Sequence, residues 1–296
     1  MSWNPTSANG LYPLLEEGVL SLTGPDALSF LQGQTTANFV DLIYPARVCG
    51  VFCDVKGRVL ADFLAVVVDP ETVLLRVSCD LCDWLLNHLG KYLQFSRASL
   101  ALTDYSVTGV LKQHSQAEGQ PLEEAEQTPY GWLLHKSRET AELLVTNLET
   151  FEQLASDVFA EKGNALQWGE AMIREGEVRI RAVTSGKYLP QDLNYDLAGW
   201  VAFDKGCYTG QEIIARLHWR GKPKRRLYRG SISEQPTLGS TVSLGSEGPS
   251  RGSVVAIAPA DHGALILVEA TEEVLQGTLC LAASGELLVE FHACAE

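Results

Sequence analysis

Asp204-Lys205-Gly206-Cys207-Tyr208-Thr209-Gly210-Gln211-Glu212-Ile213-Ile214-Ala215-Arg216 joins a glycine-flanked cysteine to the start of a helix. Thr209 is placed to cap the first free amides and Glu212, three residues later, to bond back, which is the pattern of a capping box. Ile213, Ile214 and Leu217 give this helix one apolar face, and Gly221 followed by Pro223 predicts its end. Cys207 lies two residues before the cap, near the positive end of the helix dipole, and Lys205 adds a cation from the same loop. Both favour a thiolate over an ordinary thiol, whose pKa of roughly 8.5 leaves it mostly protonated at neutral pH. Gly206 and Gly210 allow the backbone to approach a ligand closely. The same residues also describe a buried cysteine in a tight turn, with glycines serving geometry alone.

Downstream, Arg216, Arg220, Lys222, Lys224, Arg225, Arg226 and Arg229 occur without an intervening acid. The rest of the chain then holds 16 basic against 37 acidic residues. Such clustering calls for an anionic neighbour: the polyglutamate tail of a folate, a phosphate backbone, or acidic residues of the chain's own C-terminal part. Trp219 and Tyr228 lie among these cations, but two rings are too few for a stacking platform. His218, eleven residues beyond Cys207 and on the far side of the helix start, is too distant to be placed with it.

Upstream, Val19 to Gly24 predicts a short strand, and Pro25-Asp26 opens a helix with Leu28, Phe30 and Leu31 on its apolar side. Val48 to Phe52 and Val59 to Val68 read as strands joined by the polar turn Asp54 to Arg58, followed by a strand at Val73 to Val77 and an amphipathic helix from Asp80 to Tyr92. Ala117 to Gln127 is an acidic surface loop, Leu148 to Val158 has helical spacing, and Glu177 to Val183 alternates like a strand. From Leu238 to Glu296, short apolar runs alternate with turns such as Gly245-Ser246-Glu247-Gly248, the pattern of a small antiparallel barrel. Helices and strands followed by strands alone indicate an α+β chain with a terminal all-β domain.

At 296 residues the chain is long for one core, and its hydrophobic fraction of 46% is that of a folded protein. A net charge of −14 argues against broad binding to nucleic acid or anionic membrane. Met1 to Gly10 lacks the pattern of a signal peptide, and no apolar run approaches the roughly 18 residues that span a bilayer, so a cytoplasmic location is expected. Seven cysteines, at 49, 53, 79, 82, 207, 280 and 294, favour free thiols. Cys79-x-x-Cys82 stands alone, without a second pair at zinc-site spacing; Leu81, Trp84, Leu85 and Leu89 place it on a helix, and no tightly bound metal is expected.

Lys205 to Glu212, K-G-C-Y-T-G-Q-E, resembles the signature octapeptide of the YgfZ family. Leu22 to Ala27 through Leu31-Gln32-Gly33-Gln34 is similar to the family's opening strand and helix. Lys56-Gly57-Arg58 is similar to its hairpin turn, and Pro190-Gln191 with Asn194 to the loop before the signature. The resemblance covers most of the chain, weakly between Ala98 and Glu161. It implies a three-domain fold like that of the tetrahydrofolate-dependent aminomethyltransferase of the glycine cleavage system, around a folate-sized channel. The domains are expected at 1–103 and 104–222, the second carrying the signature, with a C-terminal antiparallel β-barrel at 223–296.

The resemblance further implies a folate-binding accessory protein for iron-sulfur cluster assembly or repair and for iron-sulfur-dependent tRNA modification. Its cofactor is tetrahydrofolate or a one-carbon derivative, in monoglutamyl or polyglutamyl form, and its partners are iron-sulfur enzymes or assembly factors; the net charge adds the expectation of no direct nucleic-acid or membrane binding. Cys207 falls on the family's essential cysteine, which the aminomethyltransferases lack. Trp168 falls where the family places a folate-stacking tryptophan, and a flat indole suits a pterin face, as it also suits a core. A second such tryptophan, expected near Gly18, is absent. Asp62 matches the acid that aminomethyltransferases aim at the folate. Arg174, with Glu175 beside it, replaces the glutamate that reads the pterin, which counts against aminomethyl transfer. The implied catalytic set is Cys207, Lys205 and Asp62; Trp168, Arg174, Tyr208 and Gln211 are folate-binding, and Gly206, Gly210 and Glu212 structural. The alternatives are a one-carbon transferase using Asp62 and a non-enzymatic cluster-delivery scaffold, for which one cysteine falls short of the usual four ligands.

Overall fold

A computed structural model describes residues 8–112, 124–146, 165–245, 248–276, 279–281 and 292–293. The chain divides into two compact units: Met1–Gly50 with Asp62–Trp168, and Val51–Ala61 with Gly169–Glu296. The helical stretch expected at Leu148 to Val158 lies outside the described residues, as does most of the acidic loop.

The first unit holds two five-stranded sheets. One has the order β1 (Ala8–Pro13), β7 (Ser106–Lys112), β10 (Thr140–Val145), β9 (Gly131–His135), β8 (Ala125–Thr128). The other has the order β3 (Ala46–Cys53), β4 (Val59–Asp69), β5 (Thr72–Ser78), β2 (Glu17–Thr23), β6 (Ser99–Leu102). Val19, Leu64, Val66 and Leu74 of one sheet share a core cluster with Val107, Trp132, Leu134 and Leu144 of the other, so the sheets bury their apolar faces against each other. Helices α1 (Ala27–Gln34) and α2 (Cys79–Leu93) fall where the periodicity places them; α2 buries Leu81, Cys82, Leu85 and Leu89, one face at helical spacing.

The hairpin turn also forms as expected. The Asp54 carboxylate accepts hydrogen bonds from the amides of Lys56 and Arg58, both at 2.8 Å, and Gly57 takes φ +74°, an arrangement suited to Asp and Gly. This tip, Val51–Ala61, groups with the second unit.

In the second unit, α3 (Ala165–Glu175), whose first turn belongs to the first unit, leads to an extended stretch. Val178 and Ile180 are buried there, as the alternation demands, but no strand forms over Glu177 to Val183; the chain turns at Arg181, whose carbonyl accepts from the amides of Thr184 and Ser185. Burial on one side has period two whether or not a ladder partner exists, which is why the sequence reads as a strand. A 3-10 turn at Pro190–Leu193 and helix α4 (Gln211–Arg220) follow.

The C-terminal strands do not close into the expected barrel. Among the described residues they make one open six-stranded sheet, in the order β15 (Leu279–Leu281), β12 (Thr241–Leu244), β13 (Ser250–Ala260), β14 (Gly263–Thr271), β11 (Arg225–Ile232), β16 (His292–Ala293). Register shifts in β12 and β13 bend the sheet around Ile232, Val242, Val254, Ile266, Val268 and Leu281, so one curved face buries the apolar residues without closure.

Candidate functional site

The octapeptide straddles the start of α4. Gly210 is the N-cap residue, at φ +85°, and no side chain caps the helix, so the capping box expected from Thr209 and Glu212 does not form. The reason is tertiary. A Cβ on Gly210 would lie 2.5 Å from the Asp54 carbonyl oxygen, 3.0 Å from Gly57 Cα and 3.2 Å from Cys53 Cβ. The hairpin turn is thus pressed onto the N-terminus of α4, and Gly57 in turn lies against Ile213, Ile214 and the Gly210 carbonyl. Lys56-Gly57-Arg58 and K-G-C-Y-T-G-Q-E, about 150 residues apart in sequence, are one local structure. From the other side, Gln191 donates to the Ile214 carbonyl at 2.9 Å, fixing the Pro190-Gln191 segment to the same helix. Gly210→Ala is expected to lower stability by about 1–2 kcal/mol from the left-handed backbone alone, and by more from the contacts its methyl group meets. Urea denaturation checks this, and an unchanged midpoint would mean that the turn does not dock there.

Cys207 is exposed in the loop ahead of α4. Gly206 beside it has open space where a Cβ would stand, whereas Gly210 has none, so the two glycines serve different ends. Tyr208 is the buried anchor of the loop, 8% exposed, and burial with Cys53 nearby pushes its hydroxyl above the usual tyrosine range. Lys205 Nζ lies 5.0 Å from the centroid of the Tyr208 ring, a cation–π arrangement. Partial burial lowers the Lys205 ammonium to about 8. Because this folded value lies below the unfolded one, near 10.4, the cost of burying the charge is fully present below pH 8. Stability from this group therefore rises as pH increases from about 8 toward 10. A side-chain NMR titration should give Lys205 a midpoint near 8; one above 10 would contradict its burial.

Gln211 opens α4, partly buried, and Glu212 is exposed on its first turn. The helix ends at Arg220 before Gly221, as the sequence predicts. His218 stacks on Phe203, ring centroids 3.6 Å apart. Arg174 is exposed at the end of α3, and its carbonyl accepts from the Arg229 guanidinium at 3.0 Å.

Asp62 and Trp168 belong to the first unit. Asp62 is 1% exposed and accepts from Arg76 at 3.1 Å. Arg76 is fully buried and also meets Glu142 at 3.1 Å and Glu17 at 3.6 Å. The cluster follows from register: Arg76 on β5 pairs with Leu64 on β4 and Val19 on β2, which sets Asp62 and Glu17 two residues along on the same face, and Glu142 reaches it from β10 in the facing sheet. Lys136 continues it, 3.4 Å from Glu142 and with Nζ 5.2 Å from the Trp168 ring centroid. Trp168 is 7% exposed, stacked with Tyr12 at 6.1 Å, and a Cβ on Gly109 would lie 2.7 Å from its ring. These are the surroundings of a packed core aromatic. A tryptophan at position 18 is barred locally, since a Cβ on Gly18 would already lie 2.8 Å from Cys82 Sγ. Sequence reading missed Arg76, Glu142 and Lys136; the signal was one arginine inside the apolar strand Thr72–Ser78 and one glutamate inside Thr140–Val145.

The basic segment separates. Arg225 pairs with Glu269 at 2.9 Å, Arg226 with Asp196 at 2.7 Å, and Arg229 with the Arg174 carbonyl. Arg216, Arg220, Lys222 and Lys224 are exposed, without an ion pair among the described residues. Two of the seven cations, Arg225 and Arg226, are therefore answered by the chain's own carboxylates.

Of the C-x-x-C pair, Cys79 is exposed and Cys82 buried on α2, and burial together with the nearby Cys79 pushes Cys82 up to about 12. Among the described residues no group of three or more His, Cys, Asp or Glu side chains is placed to hold a metal ion, and no helix is long and apolar enough to cross a membrane.

The fold is aminomethyltransferase-like. The glycine cleavage system aminomethyltransferase T of Bartonella henselae superposes with a TM-score of 0.73 over 96% of this chain and 85% of that one, at 14% identity. No family model matches the chain. Among curated proteins, it is similar to the tRNA-modifying protein YgfZ of Photorhabdus laumondii, 34% identical over 261 residues that cover 83% of this chain and 79% of the relative. Its counterparts in Klebsiella pneumoniae and Serratia proteamaculans are 30% and 32% identical, over 87% and 79% of this chain and 83% and 75% of theirs. The chain belongs to the YgfZ family.

Proposed function

We propose that this chain is a cytoplasmic, folate-binding accessory protein that acts in tRNA modification in support of iron-sulfur enzymes or their assembly factors, with Cys207 as its working thiol. The observation that carries the reading is the exposed Cys207 in a loop held by the buried Tyr208 and by the docking of the Gly57 turn against Gly210. The relatives' name, tRNA-modifying protein, supports the setting. A reactive thiol needs access and a fixed backbone, and this loop has both. Lys205 sits in the same loop, where partial burial lowers its ammonium to about 8.

Tetrahydrofolate, when bound, supplies a carrier for a one-carbon unit. Gln211 and Arg174 offer polar groups to such a ligand from the second unit. Within the first unit, Tyr12, Gly109 and Lys136 surround the Trp168 ring, which gives less support to Trp168 as a folate-stacking face. The one-carbon transferase alternative has less support, since the acid it needs, Asp62, is buried and bound to Arg76. The cluster-delivery scaffold lacks a converging ligand set among the described residues.

Calorimetric titration of the reduced protein with tetrahydrofolate tests the folate part. Saturable one-to-one binding, weakened several-fold in Gln211→Ala, is expected; a flat titration with both monoglutamyl and polyglutamyl forms would leave an aminomethyltransferase-like fold reused without its ligand.

A further inference from the structure

The second unit contains a cavity of about 630 Å³ that the reading above does not use. Its cations come from three separate segments: Arg58 from the hairpin turn, Lys187 from the stretch before the 3-10 turn, and Lys222, Lys224 and Arg225 from the link after α4 and the first residue of β11. Two carboxylates also line it, and both are occupied. Glu269 is bonded to Arg225 at 2.9 Å, and Asp192 accepts from the Leu189 amide at 2.9 Å with Arg58 3.8 Å away. Lys187, Lys222 and Lys224 are exposed and have no ion pair among the described residues. The C-terminus of α4 contributes only about half a negative charge, too little to answer three ammonium groups. Thr241 and Ser250 also line it, as do Tyr188 and Ser253, whose hydroxyls are bonded to each other at 2.8 Å.

We propose that this cavity is a binding site for a compact ligand carrying two or three clustered phosphates. The lining carries five cations against two engaged carboxylates in a volume suited to a nucleotide-sized molecule. Charge density selects the chemistry: a phosphate group carries up to two charges and several acceptor oxygens, whereas a peptide-linked carboxylate brings one charge over a longer stretch of chain. Lysines deliver point charges to phosphate oxygens, and nearby hydroxyls add donors. The site does not depend on folate binding or on Cys207.

Inorganic tripolyphosphate is the probe, titrated into the whole protein by calorimetry at two salt concentrations, with ATP, tri-γ-glutamate and a short RNA hairpin as parallel arms. Saturable one-to-one binding of tripolyphosphate or ATP is expected, weakening with salt. It should fall at least tenfold in Lys187→Ala/Lys222→Ala/Lys224→Ala and stay within threefold in Arg216→Ala/Arg220→Ala. In the wild-type protein, tripolyphosphate should protect Lys187, Lys222 and Lys224 from amine acylation read by mass spectrometry, which needs no variant. No saturable binding, an unchanged affinity in the triple variant, or no protection would overturn the site. Tighter binding of tri-γ-glutamate would overturn the phosphate assignment in favour of a carboxylate chain, and binding of the RNA alone would replace the cavity with an extended nucleic-acid surface.

Discussion

Arg76→Ala should destabilise the first unit by about 3–5 kcal/mol, the cost of leaving a buried charge without its partner. Arg76 is fully buried and faces three carboxylates, Asp62 and Glu142 at 3.1 Å and Glu17 at 3.6 Å. Removing it takes the same guanidinium from all three acids at once, while Lys136 stays 3.4 Å from Glu142. Against a typical total of roughly 5–15 kcal/mol, the loss is a large fraction of stability. A urea denaturation series on wild type, Arg76→Ala and Arg76→Lys measures it, and the lysine variant should recover part of the loss by restoring the charge without the forked geometry. A change below about 1 kcal/mol in Arg76→Ala would mean that water reaches the cluster, and that Asp62 is more available to a ligand than its burial indicates.

What was legible in the sequence depended on the range of the interactions involved. The Asp54–Arg58 turn and the end of α4 at Gly221 are decided by residues within a few positions, and both stand where the pattern placed them. The start of α4 was misread because Thr209 and Glu212 satisfy a local rule, while the docking of Gly57 on Gly210 makes Gly210 the N-cap residue. The Arg76 cluster draws on four strands, and its members are too far apart in sequence for a pattern to join them. Alternating strands look the same in an open and a closed sheet, and it is the ladder order that leaves this one open among the described residues. The basic run Arg216 to Arg229 reads as one patch, yet neighbouring residues of a strand point to opposite faces: Arg225 reaches Glu269 and Arg226 reaches Asp196.

These differences bear on the candidate site. Octapeptide and hairpin turn form a single structure in the second unit, while Asp62 and Trp168, brought in by the family resemblance, are held inside the first unit by charge pairing and packing. Catalytic responsibility in the proposal therefore falls on Cys207 and Lys205 rather than on Asp62.

The decisive measurement is Cys207→Ser expressed in cells that lack their own member of the family, with the content of tRNA nucleosides modified by iron-sulfur enzymes read by mass spectrometry. A serine hydroxyl keeps the size and much of the hydrogen bonding but does not ionise near neutral pH, so it cannot replace a thiolate. Cys207→Ser should accumulate to wild-type levels, since the side chain is exposed, and yet leave nucleoside content as low as an empty vector does. Wild-type nucleoside content with Cys207→Ser would contradict the working-thiol assignment.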